Sequence, residues 1–167
     1  MKCDSCKIEM IETTATVDSP YQYDLSGLKN LFLAGITVYE CPKCKSKVPA
    51  IPRVGELHRV IARLLLHKPT LLSGDEIRFL RKNAGIPAKD FAVLLQTSAE
   101  HLSRVENGHY ASLGATADRL ARAIIIAATD KDEVGEVLLR RAAALMKVGR
   151  RRRSILKLEG KRWQEAA

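Results

Sequence analysis

Residues 87–108 read PAKDFAVLLQTSAEHLSRVENG, and the architecture of the chain follows from them. Pro87 to Leu95 is spaced as a short helix, Gln96-Thr97-Ser98 as a turn, and Ala99 to Asn107 as a second helix. Phe91 and Leu95 share the inward side of the first helix, and Leu102 and Val105 that of the second. Ala92 is small where two such helices must cross. Ser98 is a favoured N-cap, because its hydroxyl can accept from an unpaired backbone N–H of the first turn. The residues after it are then free to point into a DNA major groove.

Upstream, Ser73-Gly-Asp-Glu76 is a capping box, with Leu72 and Ile77 placed as the hydrophobic staple around it. Gly85 ends the helix that box starts, and Pro87 suits the opening of the next. Val54 to His67 is amphipathic, carrying Leu57, Ile61, Leu64 and Leu65 on one side before Pro69. Downstream, breaks fall at Asn107-Gly108 and Thr129-Asp130. Lys131 to Lys147 then reads as a long helix with Val134, Leu138 and Leu145 on one face. Ile155, Leu156, Leu158 and Trp163 suggest a short terminal helix.

The four cysteines all lie in the first 44 residues, as Cys3-x-x-Cys6 and Cys41-x-x-Cys44. Between them Met10 to Val17, Tyr21 to Leu25 and Asn30 to Glu40 read as strands, punctuated by Ser19-Pro20, Ser26-Gly27 and Gly35. Pro49-Ala-Ile-Pro52 reads as a short stiff linker. Two Cys-x-x-Cys turns aim four thiolates at one ion, the donor set of a structural zinc site. Disulfides do not suit a reducing cytosol, and a thioredoxin-like motif would use one such pair within a βαβ pattern. A rubredoxin-like iron site has the same ligands and stays open beside one structural Zn2+ per chain. His58 and His67 lie on a helix and are read as surface or packing residues.

Of 167 residues, 46% are apolar and 28% charged, a globular composition, while aromatics at 5% call for an aliphatic core. No run approaches the 18 to 20 apolar residues of a membrane span, and MKCDSC lacks the apolar region of a secretory signal, so the expected location is the cytoplasm and no membrane partner is expected. The net charge of +9 is concentrated at one end: residues from Arg140 onward carry +8. Such a segment, with Arg150, Arg151, Arg152 and Arg153 at its centre, points to a polyanion, nucleic acid before membrane. There is no recognisable carboxylate pair, Gly-rich phosphate loop or activated nucleophile, so no enzyme is expected.

Leu72 to about Ala127 resembles the phage-repressor (XRE) type of helix-turn-helix, through Leu80-Arg81, Gly85, Ala92, Ser98, Leu102, Ser103-Arg104 and Glu106-Asn-Gly108. That resemblance implies a structural pairing of Arg81 with Glu106. Ala88 stands where the family usually has a phosphate-clamping Gln, and Gln96 where it often has Gly. Taken with the cysteine pairs, Pro20-Tyr21 and the linker helix, residues 1 to about 127 resemble the zinc-finger/helix-turn-helix antitoxins of the MqsA (YgiT-type) kind. The resemblance implies a homodimer bound to double-stranded, palindromic operator DNA, and an N-terminal domain that binds a ribonuclease-like toxin.

The expected fold is α+β. A β-rich zinc-binding domain occupies residues 1–50 and a linker helix 51–71. An all-α repressor-type helix-turn-helix domain spans 72–128, followed by a helical extension with a basic tail over 129–167. Ala99, Glu100, His101 and Arg104 point to base edges. An Asn and an Arg read bases in the antitoxins resembled, and Glu100 and Arg104 hold those places. Arg104 suits guanine O6 and N7; Glu100 reads either as an acceptor from cytosine N4 or as a solvated first-turn residue favoured by the helix dipole. Lys89, Ser98, Ser103, His109 and Tyr110 lie where phosphates would pass, as does the arginine tail. A dimer interface is expected on the apolar face after Leu113, with Leu120, Ile124, Leu138 and Leu145. The expected function is a sequence-specific transcriptional repressor, an antitoxin regulating its own operon. The alternatives are a toxin-neutralising interaction module with weak DNA binding, and a stand-alone regulator.

Overall fold

Thr, Val, Tyr and Leu in short alternating runs give strands at both ends of the chain, and capped amphipathic runs give helices between them. A computed structural model describes residues 1–129, 154–160 and 162–165. Within these the order is β1 (Ile11–Thr14), β2 (Tyr21–Gln22), β3 (Leu31–Ala34), β4 (Thr37–Glu40), β5 (Lys47–Ala50), α1 (Val54–His67), α2 (Gly74–Asn83), α3 (Ala88–Leu94), α4 (Ala99–Glu106), α5 (Ala115–Thr129), β6 (Ser154–Glu159) and β7 (Arg162–Glu165). The fold is mixed α+β. It divides into two compact units, one holding Met1–Val60 with β6 and β7, the other beginning at Ile61.

In the first unit, β1, β4 and β5 form an antiparallel sheet in the order β1-β4-β5, and a second sheet runs β2-β3-β6-β7. In the second sheet β3 and β6 are parallel, with Leu31 opposite Ser154 and Leu33 opposite Leu156. Leu31, Leu33, Ile36, Val38, Leu156 and Trp163 are buried. Gly35 turns the chain between β3 and β4 at φ 75°, and an added Cβ there would stand 2.8 Å from the Leu158 carbonyl oxygen. Only glycine satisfies both demands.

Three features of this unit differ from the sequence reading. Pro49 and Ala50, the first half of the expected Pro49–Pro52 linker, belong to β5; Pro49 is tolerated because β5 is an edge strand and its missing N–H leaves no ladder partner wanting. Asp24–Ser26 is a single 3-10 turn rather than the end of a strand. Residues 154–165, read as a terminal helix, are a β-hairpin that turns at Gly160 (φ 60°). Ser-Ile-Leu-Lys-Leu-Glu has a period of two over its last four residues, and the free edge of β3 supplies the ladder that a tail helix would not use.

In the second unit, α2 starts at the Ser73–Glu76 capping box, where Glu76 Oε2 accepts from the Ser73 N–H at 2.7 Å. Gly74 has no room for a side chain. A Cβ there would lie 2.6 Å from the Val105 carbonyl carbon, and closer still to its oxygen, so α2 begins in contact with the backbone of α4. Three successive helices end in the same Schellman pattern, with a left-handed residue at Gly85, Gln96 and Gly108. In each, the next N–H reaches back to close the last turn: Ile86 to Arg81, Thr97 to Ala92, His109 to Arg104. At α3 a glutamine does what glycine does elsewhere. That shapes the tight turn between α3 and α4.

A charged pair lies at the centre of this unit. Arg122 and Asp118 on α5 are 1% and 0% exposed. Arg122 Nε donates to Asp118 Oδ2 at 2.8 Å, and its other nitrogens donate to the carbonyls of Leu65, Leu66, Lys68 and Thr70 at 2.6 to 3.3 Å. Asp118 Oδ1 accepts from the Leu72 N–H at 2.6 Å. One guanidinium thus satisfies carbonyls that the C-terminus of α1 leaves unpaired, at the end where a cation complements the helix dipole. The expected helix at 131–147, with Leu138 and Leu145, and the tail Arg150 to Arg153 lie outside the described residues.

Candidate metal centre and nucleic-acid interface

The two cysteine turns of the first unit are built alike. Cys3 N–H donates to the Ile8 carbonyl and Lys7 N–H returns to the Cys3 carbonyl; Cys41, Ser46 and Lys45 repeat the pattern. Lys7 and Lys45 are left-handed, at φ 58° and 60°, which folds each Cys-x-x-Cys back on itself. The four sulfurs lie within 4.8 Å of one another, and Cys3 Sγ is 3.6 Å from Cys44 Sγ. A disulfide needs about 2.05 Å, whereas the edge of a tetrahedron with metal–sulfur bonds of ~2.3 Å is ~3.8 Å. The cluster fits one metal ion. Cys3 and Cys41 are buried with Met10, and Tyr39 packs on them, so the site has a dry inner side.

The thiols do not share one environment. Its hydrogen bond with the Ser46 hydroxyl, the largest of several causes, draws the Cys44 thiol down to about 6. The Cys6 thiol is pushed up to about 12, above all by its hydrogen bond to Cys44. Four thiolates at this spacing repel one another, and a cation is what allows all four to ionise. Ser46, which the sequence reading passed over, sits 3.2 Å from Cys44 Sγ and 3.7 Å from Cys3 Sγ. No motif marks it; only its position two residues after the last cysteine points to it. His58, read as a packing residue, meets the Tyr23 hydroxyl at 3.0 Å, and burial lowers its pKa.

In the second unit, Arg81 and Glu106 meet as a buried fork, Nε to Oε1 at 2.7 Å and Nη2 to Oε2 at 2.9 Å. Arg81 Nη1 also donates to the Ile86 carbonyl at 2.9 Å. The pair ties the end of α4 to α2, which fixes the pitch of α4. Ser98 caps α4, its Oγ accepting from the His101 N–H at 3.0 Å. Ala99, Glu100, Ser103 and Arg104 are exposed on α4 and Lys89 on α3, with His109 and Tyr110 exposed just beyond α4. His101 is half-buried, its ring 5.3 Å from that of Tyr110. Arg104 Nη2 donates to Glu100 Oε1 at 2.5 Å. Of the expected base-facing residues, Ala99, Glu100 and Arg104 are therefore exposed on one short helix, while His101 is half-buried. On α5, Leu120 is exposed and Ile124 half-buried.

Among the described residues no helix is long and apolar enough to cross a membrane. The chain matches no protein-family model, no curated protein and no solved structure.

Proposed function

We propose that the protein is a zinc-containing, sequence-specific DNA-binding repressor that acts as a homodimer. Its second unit is a helix-turn-helix whose recognition helix is α4. The observation that carries this reading is the exposed side of α4, with Glu100 and Arg104, on a helix held from behind by Arg81–Glu106 and Gly74. A helix so fixed can present side chains to a groove without a large ordering cost. Zinc suits the four thiolates, and with its shell closed it has no open position for catalysis, so its role is to hold the first unit together. One recognition helix covers few base pairs, which favours a dimer joined through the Leu120 and Ile124 side of α5.

Arg104 is assigned to base reading and the Arg150 to Arg153 tail to phosphate contact. Arg104→Ala should weaken binding to a selected operator while changing binding to scrambled duplex little. Replacing the four tail arginines by alanine should flatten the log–log salt dependence by up to about 3 to 4, at about 0.9 per phosphate contact. Equal losses on both duplexes for Arg104→Ala would refute the base-reading role, and an unchanged slope would take the tail off the DNA.

A second reading makes the protein a toxin-neutralising interaction module, an antitoxin in which DNA binding is weak. The observations in its favour are Val93 and Leu94 of α3, 69% and 50% exposed, and Ala88 at the usual phosphate clamp. A ribonuclease-like partner copurifying through the first unit would favour the antitoxin over a stand-alone regulator.

A further inference from the structure

Among the four side chains assigned to the base edges, Arg104 is the one cation and Glu100 the one anion. They lie one turn apart, glutamate first, the favourable order for an i,i+4 ion pair. The face of α4 therefore brings no net charge to the groove from this pair, and it contributes selection rather than attraction. A guanidinium has five N–H donors. One is taken by Glu100 Oε1, and the opposite edge of the fork remains for guanine O6 and N7.

The carboxylate can only accept. In the major groove thymine presents O4 and guanine O6 and N7, all acceptors, and each would face the carboxylate with like charge. Adenine presents an N6 donor, but beside its N7 acceptor. Cytosine presents an N4 donor with no acceptor next to it. A carboxylate held by Arg104 therefore refuses thymine and guanine and suits adenine less well than cytosine, and in doing so it restricts the rotamers of the arginine it holds.

We propose that Glu100 and Arg104 read DNA as one coupled unit that selects a guanine beside a cytosine, Glu100 acting mainly by exclusion. This rests on α4 being the recognition helix. The test is selection from a random-sequence duplex library by the zinc-loaded, full-length chain, followed by affinity measurement on single-base variants of the enriched duplex. Wild type, Glu100→Gln and Arg104→Ala are compared, with circular dichroism to show that each is folded.

Wild type should enrich a guanine with a neighbouring cytosine and prefer that cytosine over thymine or guanine by about tenfold or more. Glu100→Gln, whose amide both donates and accepts, should lose the cytosine preference and also loosen the guanine preference several-fold. Arg104→Ala should lose the guanine preference outright. Loss of cytosine selection with guanine selection intact would overturn the coupling. A uniform gain in affinity for every duplex by Glu100→Gln, both preferences retained, would mean that Glu100 only repels phosphates, and would overturn the proposal. If wild type enriches no sequence at all, the assignment of α4 to the groove falls, and the proposal with it.

Discussion

Replacing Arg122 by methionine keeps the length of the side chain and removes its charge and all its donors. The substitution would leave Asp118, wholly buried, with the Leu72 N–H as its remaining donor among the described residues. It would also withdraw donors from the carbonyls of Leu65, Leu66, Lys68 and Thr70. Removing one member of a buried ion pair costs about 3–5 kcal/mol, and a buried polar group left unpaired costs about 1–3 kcal/mol. The two overlap, because relaxation around Asp118 would let water reach some carbonyls, so a loss of about 4 kcal/mol is expected. Against a typical stability of about 5–15 kcal/mol that is a large share. Adding Asp118→Asn should recover about 1–2 kcal/mol, because the stranded charge is gone and the amide can still accept from Leu72. Urea titration followed by far-ultraviolet circular dichroism reports the helices, while Trp163, the sole tryptophan, reports the first unit by fluorescence. A loss under about 1 kcal/mol for Arg122→Met, or no recovery in the double variant, would refute the account of this pair.

Gly74→Ala should destabilise the helical unit by about 1–3 kcal/mol through its clash with the Val105 carbonyl, read as a lower melting temperature; an unchanged melt would mean that α2 and α4 separate freely. Gln96→Gly should raise stability by about 1 kcal/mol, since it relieves a left-handed side chain at the end of α3, and denaturant midpoints measure this. Ser46→Ala should leave the four-cysteine site able to bind one metal ion per chain by elemental analysis but weaken its retention against a competing chelator about tenfold, with equal retention counting against a role for the hydroxyl. His58 is half-buried with a lowered pKa, so the unfolded chain takes up the proton first: stability should be full above about pH 6.5 and fall as pH drops below it. His58→Gln should blunt that fall, seen in Trp163 fluorescence.

The helices were legible because their signals are local. Ser73 and Glu76, Gly85, Ser98 and Gly108 mark their own ends, and α1 runs over the residues its apolar spacing picked out. The cysteines were legible from chemistry, since four thiols at that spacing have few other uses. Asp118 and Arg122 were not. An i,i+4 acid–base pair on a helix reads as a solvated face, and only the packing of α5 beside the end of α1 makes it a buried one. The hairpin of β6 and β7 was obscured in the same way. Its six-residue run is too short for periodicity to separate strand from helix, and what decides is the edge of β3, far away in sequence. Ser46 belongs to no motif, and its use depends on where two sulfurs end up.

That distance in sequence has a consequence for the order in which the protein can be made. Leu31 pairs with Ser154, about 120 residues later. On a ribosome the cysteine turns, each closed within about six residues, can form and take up metal early. The sheet beside them must wait for nearly the whole chain, with the edge of β3 unpaired in the meantime. The intervening helices are short-range structures and can form during that wait. A message that stopped at codon 153 would therefore harm the oldest part of the molecule, stripping two strands from the unit that was synthesised first.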